Sequence, residues 1–341
     1  MAGRAPRQTP TMSHVARIAG VSVSTVSHVL NKTRPVADAT VRAVLDAVAQ
    51  TGYVPEAVAR ALGDSGYGTI GLAMSALSNP YFSNVVHGID RHASAAGYSL
   101  LLADTHDEPD QEIRAVSELL RRRVSAIILA PSGNGSTAIT YAAQVDTPIV
   151  VIDRFVDAAV DQIAVDNVEP TARLVDHLAS LGHTRIAMIT GRTGLATTTE
   201  RLRGYRLGLS RSGLPHHPPL EQDGDSTEGG AEKALHRLLT LDQPPTAIVA
   251  ANNRMTIGSM RALREAGLTV PDDIALVSFD DFEWADLFQP RLTAIAQPAL
   301  TIGEQAVGMA LTRLQEPTMS HRKVTITPTF MHRESCGCSP S

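Results

Sequence analysis

Between Met12 and Asn31 the chain reads MSHVARIAGVSVSTVSHVLN, and this stretch constrains the fold more than any other. Met12, Val15, Ala16 and Ala19 recur at i, i+3, i+4 and i+7, the spacing of one helical face. Gly20 follows the last of them, where a helix needs a left-handed stop. Ser22 then stands as an N-cap before a second periodic segment, 23–30. There Val26, Val29 and Leu30 form a narrow apolar stripe. Ser24, Thr25, Ser27 and His28 lie on the other faces and carry short hydrogen-bonding groups. Two short helices about a glycine turn, the second with a small-polar outer face, predict a helix-turn-helix rather than a plain helical hairpin.

A net charge of −5 argues against a polyanionic partner only if it is spread evenly. It is not. Residues 1–66 carry Arg4, Arg7, Arg17, Lys32, Arg34, Arg42 and Arg60 against Asp38, Asp46, Glu56 and Asp64, a net of +3, which leaves −8 for the remainder. A basic N-terminal module on an acidic body is the asymmetry expected when one end meets phosphate. With 341 residues, 43% of them hydrophobic, the chain can bury two or three domains and is not a disordered polymer. No apolar run approaches the length of a membrane span. Residues 1–10 lack the apolar core of an export signal and read as a disordered tail. The two cysteines, Cys336 and Cys338, make no disulfide framework and suit a reducing cytoplasm.

A third helix is predicted after Pro35, capped by Asp38, with Val41, Val44, Leu45 and Val48 on its apolar stripe and its end near Gly52. Pro55 and Gly63 then frame a two-turn helix that is marginal by itself. From Tyr67 apolar runs alternate with helical patterns. Strands are predicted at 70–75, 98–104, 126–131, 148–153, 162–166, 185–190, 246–252, 274–280, 293–297 and 324–330. Helices are predicted near 81–96, 109–122, 168–181, 199–212, 227–240, 254–266 and 299–315. Near-continuous apolar strands alternating with helices imply parallel sheets covered on both faces, and there are too many strands for one such sheet. Ligands of such sheets bind at the carboxyl ends of the strands, which here are polar: Ser75, Asp104, Asp153, Asp166, Asn252 and Asp280.

On these residues the chain resembles the lactose/galactose repressor family of bacterial regulators, over essentially all of 11–334. VARIAGVSVSTVSHVLN and TGYVPEAVARAL carry the resemblance most specifically. IGLAMSALSNPYFSNVVHGID, ERLRGYRLGL, VAANNRMTIGSMRALREAGLTVPDDIALVSFDD and QPRLTAIAQP extend it in order. It implies an all-α helix-turn-helix headpiece (11–53) and a hinge helix with linker (54–66). It also implies a periplasmic-binding-protein-like α/β core (67–334) of two parallel-sheet subdomains. The N-subdomain would comprise 67–166 and 298–323 and the C-subdomain 167–297 and 324–334, with a short tail at 335–341.

The resemblance implies a transcriptional regulator, most simply a repressor of sugar-utilisation genes, that binds a pseudo-palindromic operator in double-stranded DNA as a homodimer. A small sugar-like effector in the core cleft would change its operator affinity. No cofactor and no membrane are implied, and only seven residues follow Glu334, so no heptad tail is expected to join dimers into tetramers. Val23 would pack on a thymine methyl, Ser24 would serve either base, and His28 would donate to guanine N7 or O6. Thr25, Ser27 and Asn31 would hold phosphates. In the hinge Leu62 would wedge into the minor groove, with Ala59 and Arg60 beside it. The chain departs from its relatives at His28, where many carry Arg, at Glu56, often Asn, and at Asn253, commonly an acid. Effector contacts would come from Asn79, Tyr81, Phe82, Asp104, Asp153, Arg201, Asn252 and Asp280, and from Trp284 at the rim. Core packing is the competing role for Val23, Leu62 and Trp284.

The sign of the effector response stays open, so corepressor-dependent repression or activation remain alternatives. Rivals of another class are a solute receptor and a sugar-processing enzyme fused to a headpiece. Against the enzyme, the carboxylate pairs Asp272-Asp273 and Asp280-Asp281 point apart, and no GxSxG, P-loop or HExxH occurs. His216-His217 reads as a solvated loop. His332, Cys336 and Cys338 offer only three ligands, so no metal is expected and the tail is expected to be exposed.

One variant tests the hinge. Leu62→Ala is expected to weaken operator binding, read by fluorescence anisotropy, with little change in effector affinity. Unchanged operator affinity removes the wedge role.

Overall fold

The computed structural model describes residues 11–31, 34–51, 68–75, 79–133 and 136–338. They fall into two compact units, one ending at Gly68 and the other beginning at Thr69. The expected hinge helix, with Ala59, Arg60 and Leu62, lies outside the described residues, as does the side chain of Asn31.

In the first unit α1 (Met12–Ala19), α2 (Val23–Asn31) and α3 (Asp38–Thr51) close around Val15, Ala16, Val26, Val44 and Ala47, all buried. Gly20 takes φ 67° and its N–H returns to the Ala16 carbonyl, so the chain turns sharply between α1 and α2. The Ser22 hydroxyl accepts from the Thr25 N–H at 3.1 Å, the N-cap the sequence indicates. Two details of α3 differ from expectation. The Ala37 carbonyl takes the first helical hydrogen bond, from Val41 at 3.0 Å, so Asp38 is the first residue inside the helix rather than its cap. Its carboxylate still meets the positive end of the helix dipole. Leu45 is 51% exposed, and Ala47 faces the core instead. A core of five buried side chains is small, and the headpiece is accordingly of modest stability.

The second unit holds two six-stranded sheets. The strands of the first are β1 (Thr69–Met74), β2 (Ser99–Asp104), β3 (Ala126–Leu129), β4 (Ile149–Asp153), β5 (Asp161–Val165) and β11 (Lys323–Ile326), in the order β11-β5-β4-β3-β1-β2. All its pairings are parallel. The second comprises β6 (Ile186–Thr190), β7 (Glu221–Asp223), β8 (Ala247–Ala250), β9 (Ala275–Phe279), β10 (Thr293–Ala296) and β12 (Thr329–Met331). Its order is β12-β10-β9-β8-β6-β7, with only β12 antiparallel. The central strands are buried end to end, as AIIL and IVVID require: both faces of a parallel sheet are covered by helices. α4 (Pro80–Ala95), α5 (Pro109–Arg121), α6 (Ser136–Ala143) and α11 (Ala299–Gln315) belong to the first sheet. α7 (Val168–Ser180), α8 (Ala196–Arg211), α9 (Glu228–Leu239) and α10 (Asn253–Glu265) belong to the second.

The chain passes from one sheet to the other between β5 and α7, between β10 and α11, and between β11 and β12. The apolar run 324–330, predicted as one strand, is therefore two strands in two different sheets, broken at residues 327–328. β7 and α6 are not expected from the sequence: β7 is three residues long, and α6 has only eight residues, with a short buried face of Ala138, Ile139 and Ala142.

Close helix pairs are set by glycine. A Cβ on Gly204 of α8 would lie 2.3 Å from the Val168 carbonyl oxygen of α7. Gly204→Ala is expected to force the two helices apart and to lower stability by about 1–3 kcal/mol. Urea unfolding of the purified protein checks this, and an unchanged midpoint contradicts the packing argument.

Candidate functional site

Both sheets direct their carboxyl ends at one cleft with about 600 Å3 of empty space including its mouth. Asp153 ends β4 and Asp280 follows β9, the corresponding strand of the other sheet. Both are buried, and both hold left-handed backbone, φ 72° and 74°. Aspartate tolerates that region better than most residues, but it remains an uncommon conformation, of the kind kept where function needs it. The kink turns each carboxylate out of its strand and into the cleft.

Each aspartate has a guanidinium. Arg154 lies 2.9 Å from Asp153 and 3.3 Å from Asp107, and is itself buried. Arg201, on the second turn of α8, donates Nε to Asn167 Oδ1 at 2.8 Å and Nη1 to the Ala251 carbonyl at 2.5 Å. Its Nη2 stands 3.9 Å from Asp280, and its plane covers the Phe279 ring at 3.7 Å. Gln297 donates to Asp280 from the second passage between the sheets. Burial pushes the Asp280 carboxyl up, while Arg201, Gln297 and Asn79 pull it down without cancelling the rise. The buried Tyr81 phenol is held well above its ordinary pKa by burial first and by Asp153 and Asp280 second, so it is a neutral donor. Among the described residues its hydroxyl has no hydrogen-bond partner, and neither does Gln297 Oε1.

Asn79 and Asn252 combine lining with capping. The Asn79 side chain accepts from the Tyr81 N–H at 2.9 Å and starts α4; the Asn252 side chain accepts from the Met255 N–H at 2.7 Å and starts α10. The Asn252 amide N–H2 also donates to the Ser226 carbonyl at 3.5 Å, and that of Asn79 to Asp280. Across the mouth Arg192 bonds Glu108 at 3.1 Å and the Asp107 carbonyl at 3.4 Å, linking the two halves.

Of the effector residues expected from sequence, Asn79, Tyr81, Phe82, Asp153, Arg201, Asn252 and Asp280 line this cleft. Asp104 and Trp284 do not. The Asp104 carboxylate turns back to accept from the His106 N–H at 2.8 Å, and two left-handed residues, His106 and Asp107, swing Asp107 into the cleft in its place. Trp284 packs on Phe282, with ring centroids 4.9 Å apart, away from the cleft. Sequence reasoning missed Arg154, Asp107, Gln297, Ser226 and the threonines at 197 and 198. Gln297 stood inside the QPRLTAIAQP segment, and Arg154 directly follows a strand-ending aspartate. Asp107 gave no signal.

In the headpiece, Val23 at the start of α2 is 44% exposed and stands apart from the buried cluster. Ser24 is exposed, Thr25, Ser27 and His28 are half-buried, and the Ser22, Ser24 and Thr25 hydroxyls join one another at 2.8 Å. Against the expectation of an exposed tail, Ser335 and Cys336 are fully buried and Cys338 is half-buried, while Gly337 is exposed. Among the described residues no helix is long and apolar enough to cross a membrane.

Residues 11–56 match the bacterial regulatory proteins of the lacI family, and 175–336 match the periplasmic binding protein-like domain. The chain is 36% identical over 327 residues to the ribose operon repressor of Escherichia coli (strain K12), covering 95% of this chain and 99% of that protein. The lac repressor dimer bound to operator and the anti-inducer ONPF shares the fold with a TM-score of 0.79 at 29% identity, over 96% of this chain and 99% of the other. A LacI family transcriptional regulator from Enterococcus faecium with bound ribose gives a TM-score of 0.71 at 25% identity, over 78% and 98%.

The Asp280 shift has a pH signature. A carboxyl whose pKa is raised by folding costs stability above its folded pKa, and that cost is absent below its unfolded pKa. The gain in stability from Asp280→Asn over wild type is therefore expected to grow as pH rises from about 4 toward 7. Urea midpoints without ligand measure it; a gap constant across that range contradicts it.

Proposed function

The chain belongs to the lacI family of bacterial regulatory proteins, and we propose that it represses sugar-utilisation genes from the cytoplasm as a homodimer whose operator affinity is set by a neutral sugar in the cleft. It is a sequence-specific DNA-binding regulator and not an enzyme. The observation that carries the effector class is the charge balance of the cleft. Asp107, Asp153 and Asp280 stand against Arg154, Arg201 and Arg254, three carboxylates against three guanidinium groups. Such pairs accept from and donate to vicinal hydroxyls together, while Phe82 and Tyr81 offer ring faces to the apolar side of a sugar. A phosphorylated or otherwise anionic ligand would find no net positive charge there. The ring-and-diol chemistry also agrees with the bound ribose of the Enterococcus faecium regulator.

For DNA, the exposed Val23 is placed to meet a thymine methyl, with Ser24 and His28 reading base edges and Thr25, Ser27 and Asn31 on phosphates. The hinge residues Ala59, Arg60 and Leu62 complete the operator contact in the minor groove. Dimerisation is proposed through the first sheet's helices and its edge: β2 is partly exposed along its length, and Leu102 is 39% exposed. Effector and operator binding are coupled, and the coupling is reciprocal.

Arg201→Ala is expected to abolish the effector response while leaving operator binding in place. Operator titration of the variant with and without ligand reads both. Thermal-shift screening of the wild type against neutral monosaccharides, disaccharides, sugar phosphates and purines supplies the ligand, since a ligand of the folded state raises the melting temperature. A normal response in the variant moves the effector site elsewhere, and stabilisation by sugar phosphates or purines alone overturns the neutral-sugar assignment.

A further inference from the structure

Both cysteines of this chain meet two histidines at one point of the second subdomain. His177 lies in the last turn of α7, His332 directly follows β12, and Cys336 and Cys338 form the turn after it. One donor atom from each, the two sulfurs and one ring nitrogen per histidine, all lie within 4.8 Å of one another. His332 Nε2 is 2.9 Å from Cys338 Sγ, the two sulfurs are 3.1 Å apart, and His177 Nε2 is 3.6 Å from Cys338 Sγ. His177, far off in sequence, is the fourth ligand that the sequence alone did not bring within reach.

We propose that these four side chains form a closed zinc site that fastens the C-terminal segment to α7. Zinc takes thiolate sulfur at about 2.3 Å and imidazole nitrogen at about 2.0–2.1 Å in a tetrahedron, which sets neighbouring ligand atoms about 3.3–3.8 Å apart. The three separations above lie within an ångström of that figure, and the widest, at no more than 4.8 Å, closes by about an ångström. Two thiolates and two neutral imidazoles cancel the charge of a divalent zinc ion, so the site can lie partly buried without an unpaired charge. On binding, each thiol gives up its proton to solvent and its sulfur donates a lone pair to the metal; no redox partner is involved.

The surroundings are those of a held site rather than a loose tail. Gly337, between the cysteines, has φ 90°, and this left-handed step turns both sulfurs to the same side. Thr293 Oγ1 donates to Cys336 Sγ at 3.4 Å, the kind of outer contact that orients a ligating sulfur. Phe330 closes one wall, its ring 5.4 Å from His177 and 6.2 Å from His332. Ser335, next to Cys336, is fully buried and bonds the Leu276 carbonyl at 2.5 Å, so the segment is fixed to β9 on the way in. A strained Cys336–Cys338 disulfide is the competing chemistry, and a pair of free thiols is the other.

The test uses the full chain, purified under reducing conditions without chelator. Elemental analysis is expected to find about one zinc per chain. Exchange with cobalt(II) alone should give the visible absorption of a tetrahedral site together with sulfur-to-cobalt charge transfer. Chelation should expose both thiols to Ellman's reagent and lower the melting temperature. Cys338→Ser and His332→Gln should each bind cobalt at least tenfold more weakly while keeping the far-ultraviolet circular dichroism of the wild type. Should one variant fail to fold, the other and the wild-type cobalt titration still decide. Folded protein that holds no zinc and gives no tetrahedral cobalt spectrum overturns the proposal. So does an intact mass two hydrogens low from a Cys336–Cys338 disulfide, and so do variants that bind cobalt as tightly as the wild type.

Discussion

Arg201 is the side chain on which the geometry of the cleft depends. It reaches from α8 to Asn167 at the first passage between the sheets, to the carbonyl of Ala251 after β8, and toward Asp280 after β9. One planar guanidinium thus fixes three segments that are remote in sequence, and its face rests on Phe279. A lysine has neither the fork nor the flat face, so it cannot make the same set of contacts. Because Arg201 is buried, losing its hydrogen bond to Asn167 would leave a buried donor without compensation, a loss of about 1–3 kcal/mol. The site is held rigid before a ligand arrives, which reduces the ordering cost of binding.

The two sheets repeat a single device. Each runs in the same strand order, and each turns an aspartate out of the third strand of that order by a left-handed residue. Asp153 and Asp280 consequently face one another's half of the cleft, and both raise the pKa of the Tyr81 phenol between them. A ligand with hydroxyls on two edges would touch both halves at once. Binding free energy can then bias the relative position of the halves, since a ligand shifts an equilibrium only by its differential contacts with the two states. The Arg192–Glu108 pair across the mouth is exposed enough to be weak, which suits a contact that must open and close.

Much of this was legible in the sequence, for identifiable reasons. The headpiece announced itself because glycine at Gly20 and the cap at Ser22 are local chemistry. The buried strands did so because parallel pairing on two faces leaves uninterrupted apolar runs. What escaped depends on turns and on distant partners. Leu45 satisfied the helical spacing, but a three-helix bundle this small buries only the narrow line through Val44 and Ala47. Asp104 ended its strand as expected, yet two consecutive left-handed residues gave its place to Asp107. The run 324–330 looks like one strand because its alternation is continuous, although residues 327–328 carry it between sheets. His177 could not be joined to Cys336 and Cys338 without the pairing of β12 with β10 that brings His332 beneath α7.

The cleft and the cysteine–histidine cluster share a structural element. α7 follows directly on Asn167, which orients the cleft residue Arg201, and carries His177 in its last turn, so one helix of 13 residues links the support of the cleft at its start to the cluster at its end. The cleft end is polar, with Asn167 held between the Arg201 guanidinium and the Glu200 carboxylate. The other end is tied to the C-terminal turn by short polar contacts and an aromatic wall. A helix anchored at one end can keep its other end positioned against the two charged side chains of α8, Glu200 and Arg201, and this is the physical reason to expect the two sites to stand or fall on the same packing of α7 against α8.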